Sequence, residues 1–132
     1  MQKLLRIKIK LTSIFVDDPI KAFKFYTRIL GFKEHLFMPE GKLAIVVSAE
    51  DENGITLLLE PRGDKFAKEY QETVFKKNLP SIVLGDENIY ETFERLKSLG
   101  VHFTKKPIKT DWGIIAEFDD TCGNIIQIHQ DL

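Results

Sequence analysis

The chain is built on a repeat, and a repeat limits the folds open to it, because both copies must form the same supersecondary unit. The segment Leu11-Thr12-Ser13-Ile14-Phe15-Val16-Asp17-Asp18 lies over Leu79-Pro80-Ser81-Ile82-Val83-Leu84-Gly85-Asp86 at an offset of 68, with Leu, Ser, Ile and Asp coinciding. Beyond the helices that follow, the offset is 69. Leu30-Gly31-Phe32 then meets Leu99-Gly100-Val101, Ile45 meets Ile114, and Gly54 meets Gly123. One residue gained inside a helix accounts for the change.

Each copy reads the same way locally. The first predicts a helix over 18–30: Asp18 caps it, Pro19 occupies its first turn, and Gly31 stops it. Ala22, Tyr26 and Ile29, flanked by Phe23 and Leu30, form its apolar stripe. The second predicts a helix over 87–99, capped by Asp86, striped by Ile89, Phe93 and Leu96, and stopped by Gly100. Three strands are predicted after each helix, at 32–37, 42–49 and 55–60, then at 101–104, 112–118 and 124–130. Turn-rich 51–54 and 119–123 join the last two strands of each copy. The expected fold is α+β, two βαβββ units forming one curved, mixed, eight-stranded sheet around a concave cleft. A chain of 132 residues is one domain by length. Unit one spans about 5–60 and unit two about 79–130. The segment 61–78 between them predicts a short helix through Phe66, Tyr70, Val74 and Phe75.

Composition narrows the function classes. A formal net charge of -1 gives no reason to expect nucleic acid or an anionic membrane as partner. The basic group Lys105, Lys106 and Lys109 reads as a solvated edge. One cysteine, Cys122, excludes an internal disulfide and a cysteine-only metal cluster. It sits in a turn with no base adjoining it in sequence, which argues against a nucleophilic role. Residues 1–11 alternate basic and aliphatic side chains and lack the apolar run of a signal peptide. A cytoplasmic address is the default expectation.

Val16-Asp17-Asp18, Phe25-Tyr26 and Leu30-Gly31-Phe32 resemble the opening pattern of the vicinal oxygen chelate superfamily, the glyoxalase and bleomycin-resistance group. Asp119-Asp120 and Gly123-Asn124-Ile125-Ile126 resemble its closing Asp-Pro-x-Gly-Asn turn, with Asp120 standing where the proline usually lies. In metal-dependent members, four positions on the first and last strands of each unit supply His or Glu. The resemblance carries these to Leu11, Leu58, Leu79 and Gln127, with Glu60 in place of Leu58 if that strand slips by two. Leucine has no donor atom for a divalent ion. No metal is therefore expected, and with no Gly-x-Gly-x-x-Gly phosphate loop in the sequence no other cofactor is expected either.

Strand alternation puts Thr12, Ile14 and Val16 against the helix and Leu11, Ser13 and Phe15 on the concave face. The same parity brings Leu58, Glu60, Leu79, Ser81, Gln127 and His129 to that face. The result is an apolar floor beside a polar ring of Ser13, Glu60, Ser81 and His129. Such a ring is either a small-molecule pocket or a filled interior whose polar atoms bond one another. Glu60 and His129 are the candidate catalytic pair, since a carboxylate orienting an imidazole makes a general base. Each also reads as a solvated strand-end residue, and His35 and His102 as surface or rim positions. Trp112 is either a stacking platform for a flat ligand or a plug at a core end or dimer contact.

The resemblance implies a metal-independent protein that binds a small organic molecule in its cleft and associates as a homodimer. The ligand-binding residues expected are Leu11, Ser13, Phe15, Leu58, Glu60, Leu79, Ser81, Trp112, Gln127 and His129. Two alternatives stay open: a lyase or isomerase using Glu60 and His129, with or without a displaced metal, and a ligand-free dimeric scaffold.

Overall fold

The computed structural model describes residues 5–132; residues 1–4 of the alternating N-terminal run lie outside it. The first unit runs β1 (Leu11–Val16), α1 (Pro19–Lys24), a π-helical turn (Phe25–Ile29), β2 (Lys33–Met38), β3 (Leu43–Val47) and β4 (Thr56–Pro61). After α2 (Lys65–Lys76) the second runs β5 (Pro80–Gly85), α3 (Ile89–Ser98), β6 (Phe103–Thr110), β7 (Gly113–Asp119) and β8 (Ile125–Gln130). The α+β class and the doubled βαβββ order are those expected.

The strands hydrogen-bond as two four-stranded mixed sheets, β1-β4-β3-β2 and β5-β8-β7-β6, rather than as one sheet of eight. In each, the first strand runs parallel to the last, and the other pairings are antiparallel. The physical reason is visible at β1. The Phe15 carbonyl takes its hydrogen bonds from the side chains of Gln71 and Asn124, at 2.8 and 2.9 Å, and the Asp17 N–H donates to the Cys122 carbonyl. Side chains and a turn stand where a β5 ladder would.

The two helices are not offset by a single residue gained inside one of them. Asp18 caps α1, accepting from the N–H of Ile20 at 3.0 Å. Asp86 does not cap α3. It accepts from the Asn88 N–H at 2.9 Å, and Asn88 in turn accepts from the Glu91 N–H. The true caps therefore stand 70 residues apart, whereas the stops Gly31 and Gly100 stand 69 apart. Two residues are gained before the second helix, and one is lost within it. The first helix holds its additional residue by widening into the π turn, where the Leu30 N–H donates to the Phe25 carbonyl five residues back.

Core parity follows the alternation. Ile14 and Val16, Leu57 and Leu59, Ala116 and Phe118, and Ile126 and Ile128 all point into one buried cluster with Ala22, Ile89 and Leu96. Thr12 is the exception, exposed at the start of β1. The lysines of β6 lie on an outer sheet edge, as expected, around Pro107, where the pairing with β7 breaks register twice.

One polar network crosses the core. Asp120 is fully buried; its Oδ1 accepts from the N–H groups of Cys122 and Asn124, at 2.7 and 3.0 Å. Its Oδ2 accepts from the Tyr26 hydroxyl at 2.7 Å and from Asn124 Nδ2 at 2.9 Å. Asp120, not Asp119, is thus the aspartate of the closing turn. Thr121, at φ +62°, follows it in a conformation that proline cannot adopt. Burial raises the Asp120 carboxyl above the ordinary aspartate value, while the bonds from Tyr26 and Asn124 hold it down. Burial, with the Asp120 charge second, lifts the Tyr26 phenol well above the usual tyrosine range.

A raised carboxyl means that the folded chain binds this proton more readily than the unfolded chain does. Its stabilising contribution is complete below the ordinary aspartate pKa and fades as pH rises through the folded value. Tyr26→Phe removes a bond that favours the ionised form. The substitution should cost about 1.5–3 kcal/mol at neutral pH, the range for a hydrogen bond to a charged group. The cost should shrink in acid, where Asp120 is protonated. Urea unfolding at both pH values checks this, and a cost that grew in acid would refute it.

Candidate functional site

The site grows from the seam between the two sheets. Ser13 and Phe15 on β1, Ser81 on β5 and Asn124 after the closing turn face α2 across a cavity of about 420 Å³. Ile14, Phe66, Tyr70 and Gln71 complete its lining. Residues four apart on a helix share a face. In α2, Ala67 and Gln71 accordingly share the buried face, while Phe66 and Tyr70 share the next and stand 67% and 62% exposed at the mouth. Tyr70 meets the edge of the Phe15 ring, with centroids 6.4 Å apart.

Gln71 fastens α2 in place. Its Nε2 donates to the carbonyls of Phe15 and Cys122 and to Asn124 Oδ1, and its Oε1 accepts from Arg62 at 2.9 Å. Ser81 Oγ donates to Asn124 Oδ1 at 2.9 Å. The lining carries no charged side chain. Such a cavity can hold an uncharged, largely apolar molecule and orient one polar end.

Of the residues expected from sequence, Ser13, Phe15 and Ser81 line this cavity. Register puts Leu58 beside Ser13 and Glu60 beside Phe15 on the same face. Leu11 and Leu79, two residues before the serines on their strands, are 43% and 50% exposed. Gln127 is turned to its neighbour across β7, donating to the buried Glu117 carboxylate at 2.9 Å, which also lies 3.9 Å from Lys105. His129 and Glu60 share no hydrogen bond among the described residues. The two ring nitrogens of His129 lie instead 3.1 Å from the Trp112 carbonyl and 3.4 Å from Asp131. Trp112 is 86% exposed in the β6–β7 turn, so it does not plug the core. His129 lines a separate acidic hollow of about 810 Å³ with Asp86, Glu87 and Glu91; Leu11 and His35 line a third of about 660 Å³. Both are larger than the first, but charged groups crowd them.

The four positions assigned to metal ligands do not fit a divalent ion. Leu11, Leu58 and Leu79 offer no donor, and the Gln127 amide is engaged by Glu117. Among the described residues, no three His, Cys, Asp or Glu side chains converge as a ligand set.

Phe66, Tyr70, Gln71 and Asn124 line the cavity but are not reached by strand alternation. The available signal was the Phe66–Tyr70 spacing in a segment that neither copy repeats. Gly123 is held in the left-handed region at φ +99°, and a Cβ there would come within 2.6 Å of Gln71 Nε2. Gly123→Ala should cost about 1–3 kcal/mol from backbone strain alone and loosen α2. Hydrogen exchange of the α2 amides checks this, and unchanged protection would exclude it. Cys122 lies fully buried under the same turn, its thiol pushed up to about 12 by burial and then by the Asp120 charge. It should resist thiol reagents at mildly alkaline pH until the chain unfolds; rapid labelling of folded protein would contradict that.

Comparison with known proteins accords with the geometry. The chain is 47% identical to the Bacillus subtilis (strain 168) protein YurT, whose own name is "uncharacterized", over 94% of this chain and 99% of that one. The structure of UcmS2 shares 27% identity at a TM-score of 0.82, covering 96% of this chain and 100% of that one. TnmS3, described as an antibiotic binding protein from Streptomyces sp. CB03234, shares 24% identity at 0.74, covering 98% and 100%. The sequence profile of the Glyoxalase/Bleomycin resistance protein/Dioxygenase superfamily matches residues 8–128. The chain belongs to the Glyoxalase/Bleomycin resistance protein/Dioxygenase superfamily.

Proposed function

We propose that this chain binds a small, flat, mostly apolar organic molecule, of the antibiotic-binding kind, without a metal. The observation that carries the reading is the 420 Å³ cavity with its uncharged lining, walled by Phe15, Phe66 and Tyr70. Its volume lies within the range of about 300–1,000 Å³ typical of ligand pockets. Aromatic walls supply stacking area, and the serines fix one end. The description of TnmS3 as an antibiotic binding protein on the same fold supports this ligand class.

In this reading the ligand's polar end lies between Ser13 and Ser81, and its apolar body lies against Phe15, Phe66 and Tyr70, reaching toward Leu58 and Leu79. Two copies associate, covering exposed apolar groups such as Trp112 and Ile108. The general-base alternative has less support, because His129 is occupied by Trp112 and Asp131 rather than oriented by Glu60.

A thermal-shift screen against antibiotics and aromatic metabolites should yield binders. Tyr70→Ala should weaken them about fivefold or more, as loss of an aromatic wall costs about 1 kcal/mol upwards. Leu79→Asp, which sets an unpaired charge against the apolar body, should weaken them further. Binders whose affinity neither substitution alters would move the site elsewhere.

A further inference from the structure

The hydrogen-bond polarity of the cavity is fixed from behind, by a group that does not touch it. A carboxylate only accepts. Because Asp120 Oδ2 and the Phe15 carbonyl both lie 2.9 Å from Asn124 Nδ2, the protons of that amide nitrogen are both committed. The Asn124 amide is thereby oriented with Oδ1 toward the cavity. There it accepts from Gln71 Nε2 at 3.3 Å and from Ser81 Oγ at 2.9 Å. Ser81 spends its only proton on that bond and turns lone pairs to the open space. Gln71 offers no alternative donor, since its two amide protons are shared among the carbonyls of Phe15 and Cys122 and Asn124 Oδ1. The Ser13 hydroxyl has no partner among the described residues and can turn to suit either role. No cation lines the cavity.

We propose that this cavity favours a neutral ligand whose polar end donates a hydrogen bond to Ser81, a phenol, hydroxyl or ring N–H, over carboxylates and other pure acceptors, which only the rotatable hydroxyls of Ser13 and Tyr70 could serve. Buried Asp120, acting through Asn124, sets that preference; both are positioning residues. The inference rests on the binding reading above and adds the ligand's chemical class. A carboxylate at the inner wall would meet the lone pairs of Ser81 and Asn124 with no cation to compensate it. An ether or ketone would leave Ser81 unsatisfied.

The test uses the whole chain and three flat probes substituted at the same ring position: a naphthol, its methyl ether and the corresponding naphthoate. Amide NMR titrations report both affinity and location. Naphthol should shift the amides of Ser13, Tyr70 and Ser81 and bind about three- to tenfold more tightly than the ether, the worth of one neutral hydrogen bond. Naphthoate should bind weakest. In Ser81→Ala, naphthol and ether should become equal, with the rest of the spectrum unchanged as evidence of folding. Ether or naphthoate binding to the wild-type chain as tightly as naphthol overturns the proposal, whatever the variant does. Equal binding of all three at these amides would leave the cavity a ligand site and remove only its polarity rule. No shift with any probe would sink both.

Discussion

The buried carboxylate of Asp120 is the point on which the two halves of the molecule are joined. It accepts four hydrogen bonds, two from its own turn, one from Asn124 and one from Tyr26 in the other unit. Taking a charge out of water is costly unless its lone pairs are satisfied, and here each oxygen has two donors. Removing any donor leaves the others holding an underpaired charge, so the turn, the π-helical segment and the start of β8 stand or fall together. The second tie, from Asn124 and Gln71 to the Phe15 carbonyl, extends that unit to α2.

Much of the fold is legible in the sequence because the repeat constrains it. Both stops at Gly31 and Gly100, the order of helices and strands along the chain, and the inward parity of Ile14, Val16, Leu57 and Leu59 follow from local patterns. The cap of α3 was misread because Asp86 and Asn88 are both good capping residues, and only the turn between them decides which one closes the helix. The division into two sheets was not legible at all. It depends on side chains of Gln71 and Asn124, remote in sequence, taking over a strand carbonyl.

The site was half legible for a related reason. Ser13, Phe15 and Ser81 belong to the repeated strands, and alternation finds them. The wall that closes the cavity comes from α2, which belongs to neither copy. A symmetric reading of a duplicated fold has no means of seeing what breaks the symmetry. The same holds for Gln127, whose amide is drawn to the buried Glu117 rather than to the cavity. The cavity lies at an asymmetric seam, closed on one side by a helix.

The outer edge of the second sheet has a consequence for how copies of the molecule meet. Strand β6 carries Lys105, Lys106 and Lys109 around Pro107, and its pairing with β7 slips twice along its length. Proline removes a backbone donor, the slips twist the edge, and like charges repel an incoming strand of the same sequence. Edge-to-edge growth into a continuous fibre is therefore blocked at this border. Trp112 and Ile108 stand exposed beside this border without offering a regular strand edge for another chain to extend.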